Sequence, residues 1–222
     1  MINIVTGKPG TGKTYNLVRL AYGFIEEGKD VYSNFYINFD KYEQKRQKTY
    51  AYRIRNFLRI FVIRYLGIKL RPKRLGKIYF WKRIDEFVDI KGGEILIDEC
   101  QIYFNSRGWK DLPPELQYKF QQHRKHIKRD ENGKIIGLNI WGAVQNVRRI
   151  DTVIRELVNN VFILKKVGVV FLAKQYDIEE VDKENKICYS RVFFMFDKTL
   201  ANSYDTFQEI TGFENDHKKR RT

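Results

Sequence analysis

Residues 7–14 read Gly-Lys-Pro-Gly-Thr-Gly-Lys-Thr and match the pattern G-x-x-x-x-G-K-[ST] without a mismatch. Glycines at this spacing let successive backbone N–H groups curl around a β-phosphate, because no Cβ blocks the approach. Lys13 would reach the β- and γ-phosphates, and the Thr14 hydroxyl would coordinate Mg²⁺. The segment therefore predicts a nucleoside-triphosphate site, to which we assign Gly7, Lys8, Pro9, Gly10, Thr11, Gly12, Lys13, Thr14 and Tyr15.

Two adjacent carboxylates, Asp98 and Glu99, follow the apolar segment at residues 93–97. Asp98 would hold Mg²⁺ through water, and Glu99 would orient and deprotonate the attacking water, as phosphoryl transfer to water requires. Many strands end at an acidic turn, so the pair alone is not specific. Together with the phosphate-binding loop it is typical of a Walker B site and indicates hydrolysis.

A further polar position, Gln145, follows the apolar run at residues 137–144. We predict that Gln145 senses the γ-phosphate from a neighbouring strand; a glutamine that caps the next turn is the alternative. His123 and His126 are spaced to share one face of a helix, as metal ligands do. No third ligand accompanies them, so we expect solvated or phosphate-facing histidines.

The elements that must position these residues indicate an α/β fold. An apolar run precedes the phosphate-binding loop and a helical run at residues 15–25 follows it, as the motif demands. A further helix is predicted at residues 115–128, and further strands at residues 30–37, 93–97, 137–144, 160–165, 169–175 and 187–196. We expect one ATPase domain at residues 1–210 with a basic insertion at about 41–91, then a basic, disordered tail at 211–222.

The charge of the chain is strongly basic and unevenly distributed. The formal net charge is +15, and residues 41–91 carry 16 basic and 4 acidic side chains, a net +12. Such an excess predicts a polyanionic partner, either DNA or an anionic membrane. The apolar stretch at residues 57–70 is interrupted by arginine and lysine, so residues 51–75 would lie against a membrane or pack under a partner. A helix that fills its own core is the alternative.

The compartment follows from what the sequence lacks. No stretch reaches the roughly 18 uncharged apolar residues of a membrane span, and no secretion signal begins the sequence. Cys100 and Cys188 are too few for a zinc site or a disulfide framework, so reduced thiols are expected. We predict a protein of the host cytoplasm that is not secreted, with peripheral contact at the inner face of the membrane as an option.

In the order of these motifs the sequence resembles the Zot (zonular occludens toxin) family, which includes the assembly ATPases of filamentous phages and is related to the FtsK and HerA DNA translocases. The resemblance implies a P-loop NTPase fold of the additional-strand, catalytic-glutamate type. Its central, mainly parallel sheet would have the order 5-1-4-3-2, with antiparallel strands towards the C-terminus. The matching segments are residues 7–14, 31–34, 97–101, 104–107, 123–125, 143–145 and 203–206.

The resemblance also implies a homo-oligomeric ring with ATP and Mg²⁺ at the subunit interfaces, coupling hydrolysis to DNA movement in virus assembly or export. An arginine from the adjacent subunit would complete each site. Arg124, in a matching segment, is the first candidate, and Arg148 and Arg149 are alternatives.

Two other functions remain open at this point. One is a membrane-associated assembly ATPase that drives protein extrusion, with a coat or membrane assembly partner. The other is a small nucleotide kinase; a GTPase is disfavoured because the sequence has no N-K-x-D motif.

Overall fold

A computed structural model describes residues 1–40, 75–104, 113–129, 133, 135–205 and 208–210. The strands are β1 (Ile2–Thr6), β2 (Val31–Ser33), β3 (Ile78–Phe80), β4 (Gly93–Ile97), β5 (Lys128–Arg129), β6 (Ile135–Ile136), β7 (Leu138–Val144), β8 (Asn160–Val167), β9 (Val170–Tyr176) and β10 (Ser190–Met195). The helices are α1 (Lys13–Glu26), α2 (Ile84–Asp89), α3 (Pro114–Gln121), α4 (Thr152–Glu156) and α5 (Lys198–Ala201).

One eight-stranded sheet organises the domain, in the order β10-β9-β8-β1-β7-β4-β2-β3. Its central strands β8, β1, β7, β4 and β2 are parallel to one another, which confirms the predicted order 5-1-4-3-2. Strands β9 and β10 continue the sheet antiparallel, as expected for the C-terminal strands. The edge strand β3 pairs parallel to β2 and was not predicted.

Helices cover both faces of the parallel strands. All five residues of β1 and all five of β4 are buried, because apolar clusters lie on each side of the sheet. One cluster packs under α1, and the other packs under α2, α3 and α4. Parallel strands buried on both faces read as continuous apolar runs, which is why these strands were recognisable in the sequence. Their carboxyl ends meet at one edge, where ligands bind in such sheets.

Residues 75–91, the described part of the predicted basic insertion, belong to the body of the domain. Strand β3 extends the sheet, and Trp81, Phe87 and Ile90 are buried in the core. The other parts named in the predictions that lie outside the described residues are residues 41–74, 105–107, 206 and 211–222.

The helix expected at residues 115–128 is shorter than predicted. α3 ends at Gln121, a 3₁₀ turn follows at His123–Lys125, and Lys128 already pairs in β5. The sequence pattern did not predict this end of the helix, because the basic residues that follow are compatible with both a helix and an exposed strand.

Candidate nucleotide-binding site

The phosphate-binding loop joins β1 to α1 at the carboxyl edge of the sheet. Gly10 and Gly12 have φ angles of 77° and 81°, in the left-handed region that other residues rarely adopt. A Cβ added at Gly12 would come within 2.5 Å of the Phe171 ring. Glycine is therefore required there for both its conformation and its lack of a side chain.

Lys13 lies folded over this loop. Its Nζ donates to the carbonyl of Gly7 at 3.2 Å, and the hydroxyl of Thr11 donates to the carbonyl of Lys8 at 2.8 Å. The first N–H groups of any helix have no intrahelical acceptors, so the start of α1 adds donors and a positive dipole end. The loop thus offers an ammonium group and backbone N–H groups to one anion.

Asp98 contacts Thr14 across the site. The Thr14 hydroxyl donates to Asp98 Oδ2 at 2.6 Å, although the two residues are 84 positions apart. Asp98 is only 6% exposed, and this burial is the main reason why the pKa of its carboxyl is raised. A buried carboxylate beside a hydroxyl is the hard oxygen donor set that Mg²⁺ prefers, so these residues fit the predicted ion.

Asn34 fixes the backbone that carries Asp98. Its Oδ1 accepts from the Asp98 N–H at 2.8 Å, and its Nδ2 donates to the Asp98 carbonyl at 3.0 Å. Nδ2 also lies 3.2 Å from the hydroxyl oxygen of Tyr103. From the sequence, Asn34 was predicted only as part of a matching segment, with no role assigned to it. A polar residue directly after a buried strand was the available signal.

Glu99 has an unusual backbone conformation. Its φ of 47° makes it the one non-glycine residue with a positive φ within the described ranges. Such a conformation is costly and persists where the surroundings enforce it, often at functional sites. Its N–H donates to Asp98 Oδ1 at 3.0 Å, and Gln101 Nε2 donates to its carboxylate. These bonds hold Glu99 at the carboxyl end of β4.

Gln145 directly follows β7, which lies between β4 and β1 in the sheet. Its carbonyl accepts from the Thr6 hydroxyl at 3.2 Å, so it borders the start of the phosphate-binding loop. The residue is exposed and lines a cavity of about 310 Å³ together with Arg148 and Asp182. The structure thus brings Gln145 to the same edge as Lys13 and the carboxylates.

Arg124 lies at the amino-terminal ends of the parallel strands, opposite the carboxyl ends that carry the phosphate-binding loop. The turn that carries it is close to the N-terminal ammonium group of Met1, whose pKa is lowered chiefly by burial and, to a smaller extent, by Arg124. Arg124 therefore lies near the start of β1, whereas the phosphate-binding loop follows the end of that strand. Arg148 and Arg149 follow Gln145, and Arg148 is paired with Asp182 at 3.1 Å.

The structure changes the expectation about His123. His123 is buried, not solvated or phosphate-facing, and its Nδ1 lies 2.7 Å from the carbonyl oxygen of Phe120. No group of three or more metal-ligating side chains occurs within the described ranges. The Tyr15 ring is buried against Phe171, so only its backbone remains available to a nucleotide.

Comparison with known proteins places this site in a family. A family model described as Zonular occludens toxin (Zot) matches residues 1–201. The chain belongs to the Zot family. As a member of this family the protein is an ATPase of the P-loop class. No curated protein matches the sequence.

A solved structure of a Zot domain supports the fold. The N-terminal domain of zonular occludens toxin from Neisseria meningitidis is 18% identical with a TM-score of 0.53, and the match covers 92% of this chain and 98% of that one. The genome packaging NTPase B204 of Sulfolobus turreted icosahedral virus 2, in complex with ATP-gammaS, is 10% identical with a TM-score of 0.45, covering 86% and 95%. B204 from Sulfolobus turreted icosahedral virus, described as a DNA-packaging ATPase, is 10% identical with a TM-score of 0.46, covering 86% and 95%.

Within the described residues, no helix has the length and apolar character needed to cross a membrane. The thiols of Cys100 and Cys188 are both free.

Proposed function

We propose that this Zot-family protein is an ATP-hydrolysing motor for the assembly, packaging or export of viral or mobile-element DNA. The observation that carries the proposal is the 2.6 Å hydrogen bond between Thr14 and Asp98. It joins the phosphate-binding loop to the acidic strand end, so that the groups for binding and for hydrolysis share one edge of the sheet.

The residues of this edge have distinct tasks in the proposal. The loop from Gly7 to Tyr15 binds the phosphates through its N–H groups, and Lys13 leaves its carbonyl partners to bind the β- and γ-phosphates. Thr14 and Asp98 would hold Mg²⁺, which supplies charge neutralisation on the phosphate oxygens. Asn34 keeps Asp98 in position through its two backbone bonds.

Glu99 is the proposed general base. Its carboxylate would orient a water molecule towards the γ-phosphate and accept a proton from it, a contribution of about 10²–10⁴ in rate. Glu99 is half-buried just after β4, and Gln101 Nε2 donates to its carboxylate. Gln145, on the neighbouring strand end, would contact the γ-phosphate and report whether it is present.

A ring of subunits completes the proposal. Because Arg124 is remote from its own phosphate-binding loop, it could act as an arginine finger only on a neighbouring subunit. Arg149 lies at the loop edge and is the alternative, as is Arg148 once its bond to Asp182 opens. The net charge of +15 supports DNA as the polyanion that such a ring moves.

The decisive experiment is ATP turnover with and without single- and double-stranded DNA across a salt series. We expect DNA to stimulate turnover and the apparent DNA affinity to fall steeply as salt rises, because phosphate contacts release counterions. Lys13→Ala should abolish nucleotide binding and turnover. Wild-type turnover that neither form of DNA changes at low salt would refute the motor, and an absence of ATP turnover would refute the ATPase.

A second candidate is a membrane-associated ATPase that drives protein extrusion, favoured by the basic and apolar sequence at residues 51–75. It predicts co-sedimentation with anionic liposomes that is lost when residues 51–75 are deleted, while DNA binding is kept. Liposome binding that survives the deletion would exclude this segment as the membrane contact.

A further inference from the structure

The proposed position of the phosphates restricts where the ribose and base of a nucleotide can lie. Asp98 and Gln145 occupy the β4 and β7 side of the phosphate-binding loop, where the proposed γ-phosphate would be. A triphosphate that runs from there along the loop towards the start of α1 leads away from β7. The ribose and base would therefore reach the opposite side of β1, where β8, β9 and β10 form the antiparallel end of the sheet.

On that side an aromatic residue is exposed directly beside the start of α1. Phe196 follows β10, and its ring stacks on Tyr15 with centroids 5.6 Å apart and planes tilted by 23°. Tyr15 in turn stacks on Phe171, the ring that contacts Gly12 of the loop. The rings thus form a continuous stack from the phosphate-binding loop to Phe196.

The backbone around Phe196 is held from two sides. Its N–H donates to the carbonyl of Val169 at 2.7 Å, in the turn between β8 and β9. The Tyr15 hydroxyl donates to the carbonyl of Met195 at 3.3 Å and accepts from the N–H of Asp197 at 2.7 Å. Phe196 is nevertheless 43% exposed, and Val169 beside it is exposed as well. A well-positioned aromatic ring with an open surface is suited to stacking on a flat ligand.

We propose that the exposed surface of Phe196, with Val169 beside it, is the platform on which the nucleobase stacks. This inference rests on the proposed ATP site and adds the part that recognises the base. The ligand class is a purine nucleotide, whose large π-face gives the strongest stacking. Lys166 adds a cation to this group of rings, since its Nζ lies 5.4 Å from the centre of the Phe171 ring.

The test compares a ligand that has a base with one that has none. Phe196→Ala should weaken the affinity for ATP by about tenfold, as the loss of one aromatic stack does, and leave the affinity for inorganic tripolyphosphate unchanged. Phe196→Trp should restore ATP binding. Phe193→Ala is the matched control, since this phenylalanine is 67% exposed and lies on the other face of the same strand end.

Both affinities are measured by calorimetry on the full chain, after thermal unfolding has shown that each variant is folded. ATP affinity that is unchanged in Phe196→Ala would overturn the platform, and so would an equal loss for ATP and tripolyphosphate, which would place the effect in the loop. Failure of the proposed ATP site, on which the inference rests, differs from both, because the wild type itself would then bind neither ligand.

Discussion

The parallel and antiparallel halves of the sheet differ in how completely they are covered. Strands β1 and β4 are buried at every position, and the polar residues that follow them are held by hydrogen bonds. In β10, by contrast, four of the six residues are exposed, including Phe193 and Met195. α1 covers one face of the antiparallel half, through Phe171 and Phe194; on the other face, among the described residues, Arg191, Phe193 and Met195 of β10 are exposed.

The difference separates two physical tasks. A reacting group needs a position that neighbours enforce, and the doubly covered strands provide this for Asp98 and Glu99. A surface that receives a ligand or partner must keep some apolar area in contact with water. Strand β10 has such area, whereas β1 and β4 have none.

The largest expected effect is on catalysis in the covered half. Glu99→Gln should lower the rate of ATP hydrolysis at least about a hundredfold, because the amide cannot accept the proton of the attacking water. ATP binding should persist, since Lys13 and the loop are unchanged. Steady-state turnover and calorimetric ATP affinity measure the two quantities, with the exposed Glu115→Gln as a control. A Glu99→Gln protein that turns over at the wild-type rate would remove Glu99 from the mechanism.

The next effect distinguishes the two faces of the antiparallel half. Phe171→Ala should lower the free energy of unfolding by about 3–5 kcal/mol, because it leaves a cavity against Tyr15 and Phe194. Phe193→Ala on the other face should change it by less than about 0.5 kcal/mol. Chemical denaturation of both variants measures the contrast. Similar values for the two would mean that the other face is also packed at Phe193.

A smaller effect is expected at Asn34, which holds the backbone of Asp98 in place. Asn34→Ala removes two bonds to the buried backbone of Asp98, at a cost of about 1–3 kcal/mol in unfolding free energy. Turnover should fall as well, since Asp98 and Glu99 lose their alignment. Denaturation and turnover assays check this, with the exposed Asn202→Ala as a control. A stability loss with normal turnover would limit Asn34 to a structural role.

The smallest effect concerns the exposed ion pair beside the loop. Asp182→Ala breaks the bond to Arg148, but both side chains are more than 60% exposed. The unfolding free energy should change by less than about 1 kcal/mol, because solvent and salt screen such pairs. Denaturation at low and high salt provides the measurement. A larger change that persists at high salt would show that the pair of Arg148 and Asp182 is more buried than the structure indicates.

Much of the fold was predictable because its main signals are local. The runs of apolar residues that become β1, β4 and β7 gave the central strands, and the resemblance to the Zot family gave their order, which is confirmed. Strand β3 was missed because it lies in a segment dominated by basic residues. The burial of His123 was missed because exposure depends on what packs around a residue, not on its polarity.

The sequence by itself determined the phosphate-binding loop, since eight consecutive residues carry its glycines, its lysine and its hydroxyl. It also placed Asp98, Glu99 and Gln145 at strand ends. Only the tertiary structure decided which residues meet: Thr14 with Asp98, Asn34 with the Asp98 backbone, and Phe196 with Tyr15. These pairs are 84, 64 and 181 positions apart. Strand order and the packing of α1 on the sheet, not local sequence preference, set such contacts.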